Sequence, residues 1–199
     1  EARLPAYRII GGGRDDGKDK GEASPIGFDT RKFELIEQGL FWLSPTPEVP
    51  SKAWDAAFNR VVTWARLRVK GTRTVVLAIN THWDHIGFIA RKQSAMIMAK
   101  WIGAHAKSCE RVLVSGDFNS ELGGDPVQHL VVTAKLRDAR GISRTPPFGP
   151  AGTFNAFKNP PQATGAIDHF LVGEGVEVQR YAVISQVIEG RWPSDHFPV

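Results

Sequence analysis

Short apolar runs, each beside a cluster of His, Asp and Asn, are the feature that most constrains this chain. Residues 74–80 form a β-branched run leading into Asn80-Thr81-His82-Trp83-Asp84-His85. Residues 111–115 form a second, leading into Ser115-Gly116-Asp117-Phe118-Asn119. Ile167-Asp168-His169 opens a third run over 167–172, and Ser194-Asp195-His196-Phe197-Pro198 lies where another strand begins. Runs this short, bounded by turn residues, predict buried strands. The polar clusters then fall on strand ends and following loops, where a rigid scaffold holds reactive groups.

The remaining pattern is mixed. Residues 33–43 have strand character broken at Gln38-Gly39, and residues 61–69 alternate in the manner of a strand. Residues 181–187 also read as a strand. Ala90, Ile97, Met98, Trp101 and Ile102 recur at helical spacing, predicting a helix over 89–107. Asp125-Pro126 predicts a second helix start, with Asp125 as cap and Pro126 at the first helical position. Residues 11–27 are rich in Gly, Asp and Lys and read as a surface loop, as do the Pro-rich residues 141–163. Strands and helices mix without a regular βαβ repeat, which predicts an α/β (α+β) domain of packed sheets with helices outside. The length of 199 residues suits one domain, 1–199.

Composition excludes some classes. No run of apolar residues is long enough to span a membrane. The single cysteine, Cys109, rules out an intrachain disulfide and a Cys-rich zinc site, and reads as a small core or boundary residue. The net charge of +4 fits an anionic substrate but is modest enough to fit many others. The compartment stays open, with a soluble cytoplasmic setting favoured.

The four polar clusters match the needs of phosphate-ester hydrolysis. Water must be activated near neutral pH, and the charge of the pentavalent transition state must be neutralised. Histidine is the natural general base, and a carboxylate behind it fixes the tautomer. Asp and Asn supply oxygen ligands for a hard cation such as Mg²⁺ or Mn²⁺. Taken singly, each cluster reads as a cap, a turn or a surface pair. All four together, each beside an apolar strand, reverse that reading.

As a set, the Asn-Thr-His, Gly-Asp-Phe-Asn, Ile-Asp-His and Ser-Asp-His motifs resemble the endonuclease/exonuclease/phosphatase superfamily, from about Leu4 to Val199. Gly13-Arg14-Asp15-Asp16-Gly17-Lys18, Gly21-Glu22, Pro25-Ile26, Phe41-Trp42-Leu43-Ser44 and Thr46-Pro47-Glu48 resemble a bacterial branch of it. The resemblance implies a four-layer sandwich of two mostly antiparallel sheets flanked by helices. It implies that His196 is the general base or the electrostatic partner of the attacking water, and that Asp168 orients it. Asp117 would position or activate that water and touch metal. Asn119 would stabilise the phosphoryl oxygen, His82 would contact the phosphate, and Asp195 would bind metal. Asn80, Arg14 and Asn155 are further candidates for substrate contact, although solvation is the default for a loop charge such as Arg14. The family also has an Asn in its first strand and a Glu after its second. This sequence begins downstream of both, so the first strand region and part of the metal site are expected to be missing.

Substrates expected on this reading are phosphate esters, with nucleic acid and small or lipid headgroup esters both open. Two other classes compete. One is a non-catalytic binding module of the same fold, disfavoured because a binding scaffold has no need of imidazoles paired with carboxylates. The other is a zinc site on His82, Asp84 and His85, disfavoured by the Asp- and Asn-rich remainder.

Overall fold

The computed structural model describes residues 4–158 and 165–199. Part of the loop expected over 141–163 therefore lies outside the described residues. Eight strands and two helices follow one another along the described chain: β1 Tyr7–Ile10, β2 Ile26–Asp29, β3 Phe33–Trp42, β4 Val61–Val69, β5 Val75–His82, α1 Phe88–His105, β6 Glu110–Asp117, α2 Asp125–Thr133, β7 Arg137–Asp138 and β8 Asp168–Val172. β1 and β2 form a two-stranded sheet, and the others form a six-stranded sheet in the order β3-β4-β5-β6-β8-β7. Only β5 and β6 run parallel among these neighbours, because α1 supplies the crossover that a parallel pair needs.

Side-chain alternation sorts the central strands onto two faces. Val62 of β4, Leu77 and Ile79 of β5, Val112 and Val114 of β6 and Leu171 of β8 turn one way. There they pack with Met98, Ala99 and Ile102 of α1 and Val127 and Leu130 of α2. Ala65, Leu67 and Ala78 turn the other way, onto Ile10 and Phe28 of the small sheet. Leu113, Phe170 and Val172 continue that second face beneath Tyr181, Val183 and Phe197. The mixed α/β sandwich is thus covered by helices on one side, and by the small sheet and C-terminal segment on the other.

Several local expectations shift. β3 runs through Gln38-Gly39 without a break, and its irregularity lies between Leu35 and Glu37. Gly39 is needed for close approach instead: a Cβ there would sit 2.6 Å from the Trp64 ring. The strand expected over 181–187 is reduced to an isolated bridge, Phe148 to Ala182. Its neighbouring segment carries Pro146, Pro147 and Pro150, which lack the N–H donors a ladder requires. The loop expected over 11–27 ends in β2, and β1 precedes it. α2 is capped by Gly124, and Asp125 lies in its first turn without a capping hydrogen bond. A carboxylate there still favours the positive end of the helix dipole. Cys109 is exposed. No helix among the described residues is long and apolar enough to cross a membrane.

Gly116 is where the fold and the polar cluster meet. Its φ is +150°, and a Cβ would lie 2.1 Å from the Thr81 carbonyl oxygen across the parallel pair. Gly116→Ala is expected to destabilise the protein by roughly 1–3 kcal/mol from backbone strain alone, with the clash added. A urea titration with an unchanged midpoint would refute this.

Candidate active site

Strand register gathers the first part of the site. His82 lies opposite Asp117 across the parallel β5–β6 pair, and Asp168 lies opposite Asp117 on the antiparallel side. Each polar cluster is also pinned by a neighbour that the core swallows. Trp83 and Phe118 are fully buried and meet edge to face at 4.7 Å, while His169 and Phe197 are nearly so. Period-two alternation then turns His82, Asp117, Asp168 and His196 to the opposite side, into one cleft of about 380 Å³.

Two imidazoles face one carboxylate. His196 Nδ1 lies 2.7 Å from Asp168 Oδ2, and His196 Nε2 lies 3.7 Å from Asp117 Oδ2. His82 Nδ1 lies 3.1 Å from Glu22 Oε1, and His82 Nε2 lies 3.3 Å from the same Asp117 oxygen. Each ring therefore has a carboxylate behind Nδ1 and presents Nε2 to Asp117. Glu22 is the participant that sequence reasoning left among solvated loop charges. Its signal was the folded loop before β2: Arg14 N–H donates to the Glu22 carbonyl at 3.0 Å, and Gly13 pairs with Ala23. That pairing carries Glu22 back over the end of β5.

Electrostatics separate these groups. Burial pushes the Asp117 carboxyl up to about 6, and nearby Asp168 pushes the same way; the Asn119 N–H, His196 and Arg60 oppose them. The hydrogen bond to Asp168 raises His196 above its ordinary value despite burial. Burial lowers His82, and the charge of Arg60 lowers it further against the pull of Glu22.

The other predicted residues fall into two groups. Asn119 sits behind Asp117 and does not itself line the cleft. Its backbone is left-handed with φ +45°, its N–H donates to Asp117 Oδ1 at 2.8 Å, and its amide donates to the Trp83 carbonyl at 2.9 Å. Asn80 lines the cleft, donating to the Pro25 carbonyl at 2.9 Å and accepting from Ser115 Oγ at 3.0 Å. Arg14 and Asn155 stand back from it. Arg14 clamps Glu22 at 2.6 Å and lies 4.4 Å over the Phe58 ring, behind Glu22 and His82 and outside the lining of the cleft. Asn155 is only 1% exposed, and its amide serves Ser194 and Phe157, which ties down the loop in place of facing substrate.

The carboxylates and imidazole able to share a cation are Asp117, Asp168 and His196, among the described residues. Asp195 is not in that group: Ser194 Oγ donates to its carboxylate, and its carbonyl accepts from Asn155 and Ala156. The donor set fits a hard divalent ion, whose charge would offset the burial and the neighbouring Asp168 that together push Asp117 up. The zinc alternative does not assemble. Asp84 is fully buried and accepts from four backbone N–H groups and Arg60, while His85 Nδ1 is 3.0 Å from Arg60.

The chain is similar to known proteins. A structure of an endonuclease/exonuclease/phosphatase family protein from Bacteroides thetaiotaomicron is 38% identical with a TM-score of 0.92, matching 98% of this chain and 74% of its own. A mannosyl-6-phosphatase from the same species is 39% identical with a TM-score of 0.89, over 98% of this chain and 76% of its own. An uncharacterized protein of Acanthamoeba polyphaga mimivirus is 25% identical over 121 residues, 59% of this chain and 45% of the viral protein. The chain thus spans less than half the length of that curated relative. The pattern of the Endonuclease/Exonuclease/phosphatase family matches residues 37–196, which takes in three of the four polar clusters whole and the fourth through His196. The chain belongs to that family.

Proposed function

We propose that the protein hydrolyses phosphate monoesters with the help of a divalent cation. The observation that carries this reading is the pair of carboxylate-backed imidazoles whose Nε2 atoms both address Asp117. With Nδ1–H donated to Asp168, the His196 Nε2 lone pair is free to take a proton from water. The water oxygen then bonds to phosphorus as the bond to the ester oxygen breaks. His82, which burial and Arg60 hold below its ordinary value, stands at the phosphate as a neutral ring, and the departing oxygen takes its proton from solvent. Asn119 and the His196 imidazolium formed in that step neutralise charge growing on the phosphoryl oxygens.

Asp117, with Asp168, would hold the cation, and Mg²⁺ or Mn²⁺ suits these oxygen donors. Such an ion supplies Lewis-acid stabilisation of the phosphoryl group. A monoester is favoured over nucleic acid because a relative 39% identical is a mannosyl-6-phosphatase. A cleft of about 380 Å³ is also sized for a small ester.

The test is a panel of phosphomonoesters and phosphodiesters on the full-length protein, with Mg²⁺ or Mn²⁺ present and after chelation. Phosphate release from monoesters is expected, abolished by chelator and restored by the ion. Inertness towards every ester sinks the hydrolase reading, and activity indifferent to chelation sinks the metal.

A further inference from the structure

The two members of the dyad, 28 positions apart, are held in different ways. Asp168 opens β8 and is fixed by ladder pairing with Asp117. His196 lies beyond β8, the last strand among the described residues, and in strand pairing it makes only an isolated bridge to Phe154. A side-chain bond of 2.7 Å between them requires that both backbones be placed to a fraction of an ångström.

Thr153 ties one backbone to the other. It is fully buried. Its Oγ1 accepts from the Ile167 and Asp168 N–H groups, at 3.0 and 3.2 Å. Its carbonyl accepts from Phe197 N–H at 2.6 Å. The side chain thus grips the chain at Asp168, while the carbonyl of the same residue grips it beside His196. Two residues on, Asn155 repeats the hold. Its N–H and that of Ala156 donate to the Asp195 carbonyl, at 2.7 and 3.1 Å, and its amide donates to the Ser194 carbonyl at 3.1 Å. Between the two, the Phe154 ring lies 5.0 Å from the imidazole. The strap ends in two consecutive left-handed residues, Ala156 and Phe157, with φ of +53° and +57°. Residues other than Gly keep that conformation only where their surroundings over-determine it, so the strap is fixed in place.

We infer that Thr153 is a positioning residue for the reaction, holding Asp168 and His196 in register through their backbones. This rests on the hydrolase reading above, and it adds a requirement outside the cleft, whose lining does not include Thr153. A hydroxyl is needed because two N–H groups of adjacent residues converge on one acceptor; valine has the same shape and offers none. Without that acceptor the Asp168 backbone is free to turn, and its carboxylate no longer meets Nδ1 squarely. The ring then loses its fixed Nδ1–H tautomer, and Nε2 presents its lone pair to water less often.

The test is a mutant cycle on the full-length protein with p-nitrophenyl phosphate and Mg²⁺. Thr153→Val is expected to lower kcat by about ten- to a hundredfold with KM within about twofold, the scale on which small misplacements act. Thr153→Ser should recover most of that loss, because it returns the acceptor. In a His196→Ala background, Thr153→Val should cost less than about twofold, because the ring it positions is gone. Equal losses in both backgrounds, or a loss that serine does not recover, mark a purely structural residue and overturn the inference. If Thr153→Val does not fold, Asn155→Ala frees the other end of the strap and goes through the same cycle, where additive losses again overturn it. If the wild-type protein hydrolyses nothing, the hydrolase reading falls by itself. Thr153 is then judged by the ring-nitrogen NMR shifts of neutral His196. One tautomer is expected in the wild type and in Thr153→Ser, and a mixture in Thr153→Val; any other pattern overturns the positioning role.

Discussion

His196→Ala is expected to lower kcat for phosphate release by about 10²–10⁴-fold, the range for loss of a positioned general base, with KM nearly unchanged. The near-constant KM follows because the ring acts on water rather than on the bound ester. Asp168→Asn should cost less, since it leaves the imidazole in place but removes the charge behind it. The double variant should be little worse than His196→Ala alone, because residues that act as a unit are strongly non-additive. The pH profile gives a second check. The working form of His196 is the neutral imidazole. Asp168 raises its pKa above the ordinary 6.5, so activity is present above that raised value and is lost as pH falls through it. Removing the Asp168 charge removes the main cause of the elevation. The acid limb of the Asp168→Asn profile should therefore move to lower pH. A limb that stays in place, or moves up, would show that the dyad does not govern the acid side of the reaction. So would additive losses in the double variant.

The dyad is also where the sequence was most legible. Asp168 and His196 are 28 positions apart, yet each sits at the mouth of an apolar run with a buried residue following it. That local pattern, repeated at His82 and Asp117, is visible without coordinates because period-two alternation ties burial to position. The strands β4, β5, β6 and β8 and the helix α1 were legible for the same reason. Glu22 was not. It sits in a run of charged residues with no apolar period, and its place over His82 depends on backbone pairing between Arg14 and Glu22. Arg14 and Asn155, expected at the substrate, show the complementary case. Both are residue types that contact phosphate or sugar when exposed, but here hydrogen-bond partners inside the protein claim them first. Side-chain chemistry can be read from a sequence; competition for its hydrogen bonds becomes visible only once loops are folded. The shortened pairing at 181–187 has the same origin, since the strand-like residues were real and their Pro-rich neighbour pairs with them only at Phe148.

Asp84 illustrates that competition at its greatest expected energetic effect. Its carboxylate is fully buried and accepts hydrogen bonds from Ala57, Phe58, Ile86 and Gly87 N–H and from Arg60 Nε at 3.2 Å. Burial alone would raise its pKa, but the Gly87, Ile86 and Phe58 N–H groups and the guanidinium outweigh it and hold the carboxyl at about 2. Asp84→Ala would leave a guanidinium that is itself 4% exposed without its counter-charge, and four N–H groups without acceptors. Breaking a buried pair in this way costs about 3–5 kcal/mol, and the stranded donors add to it. The exposed Arg144–Glu177 pair, at 2.9 Å, is the internal control: Glu177→Ala should cost under about 1 kcal/mol despite the better distance. Urea midpoints of the two variants decide the matter, and similar losses would refute the argument that burial sets the difference. The consequence reaches the reaction centre, because Arg60 is also the cation that depresses His82 and moderates Asp117. A carboxylate two residues from His82 therefore holds the loop that carries Phe58 and fixes the positive charge behind the cleft. Asp84→Asn keeps the shape but not the charge. It should retain more stability than Asp84→Ala while still loosening Arg60, which separates the structural share of Asp84 from its electrostatic one.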